Sequence, residues 1–214
     1  MGYKSFENIS DVCLQFDCSV KMESFLQSKE FVLDSYMEKK LIKNFSKLST
    51  FANENVICEK IIAPILEELE GDGELQIWSH FALNVDESLN LNGIPDYILA
   101  PPDKSGLRYT TPLMCLVEAK KDDFEGGWGQ VAAEMIAAQK LNGNEDIPIY
   151  GLVSTGRVWQ FGFLKNKIIT IDTNSQTAPQ NLNKLVSILN WVFCEARKNA
   201  DKLAEFAKNN NKKR

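Results

Sequence analysis

The stretches PDYILA (residues 95–100) and PLMCLVEAK (residues 112–120) decide the fold. Leu113–Val117 is apolar at every position, so both faces of that strand need covering, and a strand covered on two sides sits inside a sheet. The loop PPDKSGLRYTTP (101–112) between the two stretches is rich in turn-forming Pro, Gly and Ser. Upstream, ELQIWSHFALNV (74–85) reads as a third strand. Downstream, GGWGQVAAEMIAAQKL (126–141) opens with glycines and continues at helical period, with Ala-rich faces that allow close approach to a sheet. IPIYGLVS (147–154), a turn at Thr155-Gly156, RVWQFGFL (157–164) and KIITID (167–172) read as further strands.

Before the strands, Val56, Ile57, Ile61, Ile62, Ile65, Leu66 and Leu69 repeat at three and four, the stripe of an amphipathic helix that begins at Asn53 and is stopped by Gly71 and Gly73. After them, a helix from Asn181 carries Leu182, Leu185, Val186, Leu189 and Val192 into a Lys-rich end. Apolar positions near Val20–Phe31 and Tyr36–Leu48 have helical spacing. The expectation is an α/β chain in the order helix, three strands, helix, strands, helix. Residues 1–50 form a helical N-terminal elaboration, 51–175 the core, and 176–214 a C-terminal helix and basic tail, in a single compact domain.

A net charge of −5 and a pI near 5.1 exclude a broad basic surface, so any nucleic-acid contact is local. Candidates are Lys120, Lys121, Lys104 and Arg108, Arg157 and the tail KNNNKKR; surface solvation is the competing reading for each. No window has the length of a membrane span, and the first residues lack the apolar run of a signal peptide, which makes the cytoplasm the expected location. Cys13, Cys18, Cys58, Cys115 and Cys194 are scattered and odd in number, so they read as reduced core thiols. His80 is the sole histidine, which excludes a multi-histidine metal site; its apolar-polar surroundings suggest an ordinary strand residue. Trp78, Trp128, Trp159 and Trp191 read as packing rather than base-stacking platforms.

The chemistry-bearing residues are acids. Hydrolysing a phosphodiester at neutral pH calls for a hard divalent cation, and such a cation takes oxygen ligands. Asp96 heads one strand and Glu118 ends the next. Residues two apart on a strand share a face, so Glu118 and Lys120 project together while Lys121 faces away. The ammonium beside a metal-bound carboxylate would orient water and stabilise developing charge. Projected at about 100° per residue, Glu54 falls inside the apolar stripe of the first helix, roughly 40° from its centre, with Glu59 near the edge. Since a carboxylate facing a core needs a partner or a metal, Glu54 is the first choice for a third acid and Glu59 the second.

Pro95-Asp96 followed by Glu118-Ala119-Lys120 resembles the PD-(D/E)XK nuclease superfamily, whose restriction-endonuclease-like core is a mixed sheet flanked by helices in the order α-β-β-β-α-β. NENVICEKIIAPILEEL (53–69) resembles the acidic first helix in the nuclease region of type I restriction subunits. VEAKKDDFEGGWGQVAAEMIAAQ (117–139) with IYGLVSTG (149–156) resembles small standalone bacterial members, particularly cyanobacterial ones. The resemblance spans about Asn53 to Phe163. It implies a nuclease using Mg²⁺, with Mn²⁺ substituting, in which Asp96 and Glu118 are metal ligands, Lys120 is the catalytic lysine and Glu54 or Glu59 is the first-helix acid. Gln130 matches a glutamine near the metal or the DNA, whereas Glu134 stands where some branches carry Tyr. DNA is the implied substrate, with RNA left open, and a homodimer or a partner protein of a restriction or mobile-element system is a further implication. The competing reading is a noncatalytic DNA-binding or protein-interaction module that retains the core.

Overall fold

A computed structural model describes residues 2–71 and 74–211. In chain order the elements are α1 (Ile9–Phe16), β1 (Ser19–Met22), α2 (Ser35–Phe45) and α3 (Glu54–Ile57), the last running through a π turn (Cys58–Ile62) into α4 (Ala63–Glu70). Then come β2 (Gln76–Ser79), β3 (Tyr97–Ala100), β4 (Cys115–Ala119), α5 (Phe124–Asn142), β5 (Ile149–Ser154), β6 (Val158–Lys165), β7 (Ile168–Ile171), β8 (Gln176–Thr177) and α6 (Leu182–Asn211). Gly73, expected to help stop the first core helix, and tail residues 212–214 lie outside the described residues.

The strands form one mixed sheet in the order β1-β7-β6-β5-β4-β3-β2, with β8 added against β6. The two-sided apolar run behaves as its composition demands. All of β4 is buried, pairing antiparallel with β3 on one side and parallel with β5 on the other. One face of the sheet, through Cys115, Val117, Leu99 and Phe161, packs on Ile61, Ile65 and Leu66 of the π turn and α4 and on Leu189 and Phe193 of α6. The other face, through Ile98, Leu116 and Val153, packs on Ala132, Met135 and Ile136 of α5. Trp78, Trp128 and Trp159 are buried, and each indole N–H finds an oxygen, on Ala100, Gln160 and Gly156, so they pack as expected.

The N-terminal third departs from expectation. Val20–Phe31 is not a helix: Ser19–Met22 is a parallel edge strand against β7, and the chain beyond it is extended, with the Phe25 and Leu26 amides donating to Asp172 Oδ2. Val20 and Met22 lie two apart, and the edge of β7 offers hydrogen bonds that override a weak helical spacing. Residues 1–50 therefore extend the sheet as well as adding helices. Tyr36–Leu48 does hold a helix, Ser35–Phe45, which Asp34 starts by accepting the Tyr36 amide at 2.8 Å. α1, not foreseen, is opened by an Asn8/Asp11 capping box. It lies on α5 because Gly129 has no Cβ, and a Cβ there would stand 2.5 Å from the Phe6 carbonyl oxygen and 2.8 Å from the Asn8 nitrogen.

Candidate active site

Three adjacent strands set the site. The β2–β3 pairing joins Ser79 to Tyr97 and the β3–β4 pairing joins Tyr97 to Val117. One residue further along, His80, Asp96 and Glu118 fall in a row across the end of the sheet, on the face covered by α5. The Asp96 Oδ2 atom accepts the Ala119 amide at 2.7 Å, and Oδ1 faces His80 Nε2 at 3.5 Å. The Lys120 amide extends the ladder to the Ser154 carbonyl at 2.9 Å, which keeps its side chain on the Glu118 face.

Around Glu118, only 2% exposed, a closed polar ring forms. Lys120 Nζ donates to Glu118 Oε1 at 2.5 Å and to Gln130 Oε1 at 3.1 Å, while Gln130 Nε2 donates to Glu118 Oε2 at 2.7 Å. Lysine has no acceptor, so the Gln130 oxygen must face Lys120 and its NH₂ must face the carboxylates. That NH₂ also reaches Glu134 Oε1, one helical turn on, at 3.2 Å. Glu134 is fully buried, and its Oε2 has no hydrogen-bond partner. The stem of Lys120 crosses α5 at Gly127, where a Cβ would meet Lys120 Cγ at 3.1 Å and Val153 Cγ1 at 2.5 Å.

The electrostatics are dominated by acids withdrawn from water. Burial, then the charges of Asp96 and Glu54, push Glu118 up to about 8 despite the opposing pull of Lys120. Burial also raises Asp96, against the Ala119 amide, Lys120 and His80, which favour its charged form. Burial and the nearby Glu118 hold Glu134 well above the carboxylate range. For Lys120, burial favours the neutral amine, but Glu118, Glu54 and Asp96 together outweigh it and the net shift is upward. One ammonium does not compensate several buried acids, so the site retains protons that free side chains would lose.

Asp96, Glu118, Lys120 and Gln130, all expected from the sequence, are thus brought together. Glu54 stands at the first position of α3, where its charge acts on Asp96, Glu118 and Lys120; it is exposed and does not face the core. The uniform helical projection failed because the π turn inserts an extra residue per turn and rotates everything ahead of it relative to the stripe behind. Glu59 is exposed on that turn and makes no hydrogen bond or ion pair with the site among the described residues. Lys121 faces away, lining a cleft with Asn53 and Glu54.

Lys104 and Arg108 follow β3, so four residues of strand, roughly 13 Å, separate their loop from Asp96. Arg157 is occupied by the Phe45 carbonyl, at 3.0 Å, and by the Phe51 ring, 3.9 Å away. His80 is a correction. It lies beyond the end of β2 at φ 57°, half exposed, with Nδ1 2.8 Å from Ser79 Oγ and Nε2 toward Asp96. Its signal lay in the register of two paired strands, which periodicity does not carry.

The donor chemistry fits a hard divalent cation: carboxyl oxygens withdrawn from water, whose raised pKa values a cation's charge would bring back down, with an unpartnered carboxyl oxygen behind them. Among the described residues no three His, Cys, Asp or Glu side chains converge as a metal-holding group. Two carboxylates completed by waters and phosphate oxygens are an ordinary set for Mg²⁺. No family model, no curated protein and no solved structure matches the chain.

Proposed function

We propose that this chain is a Mg²⁺-dependent phosphodiesterase of the PD-(D/E)XK type acting on DNA, with the restriction-endonuclease-like core formed by α3–α4, β2, β3, β4, α5 and β5. The observation that carries the reading is the opposition of Asp96 and Glu118 on neighbouring strands, with Lys120 Nζ on the Glu118 carboxylate. In the reaction a water oxygen bonds to phosphorus as the bond to the leaving oxygen breaks; water loses a proton and the leaving oxygen gains one. A cation bound there supplies Lewis-acid neutralisation of the phosphate and lowers the pKa of a bound water. Asp96 and Glu118 are the residues to hold it, and Glu54 adds negative charge at the rim. Lys120 gives two of its three N–H donors to Glu118 and Gln130, which leaves one for water or a phosphate oxygen. Gln130 fixes the ammonium against the carboxylate.

Supercoiled-plasmid cleavage with Mg²⁺ or Mn²⁺ tests this, with Lys120→Ala and Glu118→Ala each expected to lose about 10²-fold or more. Cleavage that survives both substitutions removes these residues from the mechanism. A noncatalytic module is the second reading, favoured by the engagement of both Glu118 oxygens within the protein. Calorimetric titration with Mg²⁺ separates the two: heat abolished by Asp96→Asn supports the metal site, and neither heat nor cleavage supports the module.

A further inference from the structure

Cys13 and Cys18, read from the sequence as separate core thiols, are neither separate nor deep in the core. Both are partly buried, and their sulfurs are 3.0 Å apart. The cause is how α1 ends. Asp17 adopts the left-handed conformation at φ 52° and ψ 51°, its amide bonds to the Cys13 carbonyl, and the Cys18 amide reaches the same carbonyl at 3.2 Å. A bond from the residue after a left-handed cap back to the residue five earlier is the Schellman termination, which brings those two side chains into contact. An apolar pair commonly occupies these positions, and here both are cysteine. Cys58 and Cys115 are fully buried apart from this pair, and the Cys194 thiol sits near Asn190 and Lys29.

We infer that Cys13 and Cys18 form a disulfide-forming dithiol that takes a small-molecule disulfide such as oxidised glutathione as its oxidant. One thiolate attacks a sulfur of the oxidant and expels glutathione thiolate, giving a mixed disulfide. The second cysteine, after losing its proton, attacks the protein-side sulfur, forms the Cys13–Cys18 bond and expels the second glutathione. Overall, two thiols and one disulfide become one protein disulfide and two glutathione thiols. Burial, followed by the hydrogen bond to Cys13, pushes the Cys18 thiol up to about 12, which disfavours its attack on bulk oxidant, so its part in closing the bond rests on its 3.0 Å contact with the Cys13 sulfur. The bond would tie the last turn of α1 to the residue that leads into β1, two elements at opposite ends of one left-handed corner.

Both cysteines lie in one tryptic peptide, Ser5–Lys21, so closure is read as the loss of two hydrogens within a single fragment. Reduced full-length protein is incubated with oxidised glutathione, quenched with acid and mapped by mass spectrometry. The expected result is the two-hydrogen loss in Ser5–Lys21 with no glutathione left on it, while Cys18→Ser retains a glutathione adduct on Cys13 and Cys13→Ser leaves Cys18 largely unmodified. A native peptide that keeps the adduct, or stays reduced while Cys194 is modified, overturns the inference.

Discussion

Replacing Glu118 by Gln tests the electrostatics of the site without relying on catalysis. The folded carboxyl is pushed from 4.5 to about 8, so between those values the folded chain holds a proton that the unfolded chain has released. The stabilising difference is complete below the unfolded value and is lost as pH rises through the folded one. One proton corresponds to about 1.4 kcal/mol per pH unit, so from pH 5.5 to 7.5 wild-type stability falls by about 3 kcal/mol from Glu118. Glu134, raised by burial and by Glu118, adds to the fall with the same sign. Glu118→Gln removes the first contribution and weakens the second.

The substitution also sets an amide NH₂ against the Gln130 NH₂, because Lys120 keeps the Gln130 oxygen, at a cost of about 1 kcal/mol. Wild-type stability therefore falls more steeply with pH than that of the variant, which is the more stable at pH 7.5. Urea unfolding followed by tryptophan fluorescence across this range, without divalent ions, measures both curves. A flat or rising wild-type curve, superimposed on that of the variant, refutes the account of Glu118 as a buried acid that ionises at a penalty. Added Mg²⁺ should flatten the wild-type curve and leave that of Glu118→Gln unchanged.

Other substitutions probe the supports of the site. Gly127→Ala drives a methyl into Val153 and the Lys120 stem and should lower stability by about 1–3 kcal/mol, measured by urea unfolding. Glu134→Gln keeps an acceptor for the Gln130 amide, whereas Glu134→Leu removes it; the Lys120 acetylation rate against pH, read by mass spectrometry, should change for Leu and return toward wild type for Gln. Arg157→Ala loses the contact with Phe51 and the bond to the Phe45 carbonyl, and about 1 kcal/mol of stability, with no effect on plasmid cleavage.

The centre of the fold was legible because its signals are strong and local. The unbroken apolar run at Leu113–Val117 admits only an interior strand, and the two-residue spacing of Glu118 and Lys120 fixes their common face. Asp96 was legible from its place at the head of the preceding strand. Three features were not. Val20–Phe31 carries a helix-like spacing whose outcome is decided by the free edge of β7, a tertiary partner that local pattern does not reveal. His80 reaches Asp96 only through strand register and a left-handed backbone. Glu54 is exposed instead of core-facing and reaches the acids only through its charge, since a uniform wheel cannot represent a helix with a π turn.

That widened turn behaves as a phase adjuster between two parts of one rod. The wide turn carries one residue more than a regular α turn for the same rotation, so removing a single residue from 58–62 would let it relax to α geometry with everything upstream close to its present angle. The stripe beneath the sheet would keep its seating, and Glu54 would stay beside the carboxylates it now influences. The same deletion within Ala63–Glu70, where no wide turn absorbs it, would shift the apolar stripe by about 100°, so the rod tolerates the loss of a residue at its wide turn and not beyond it.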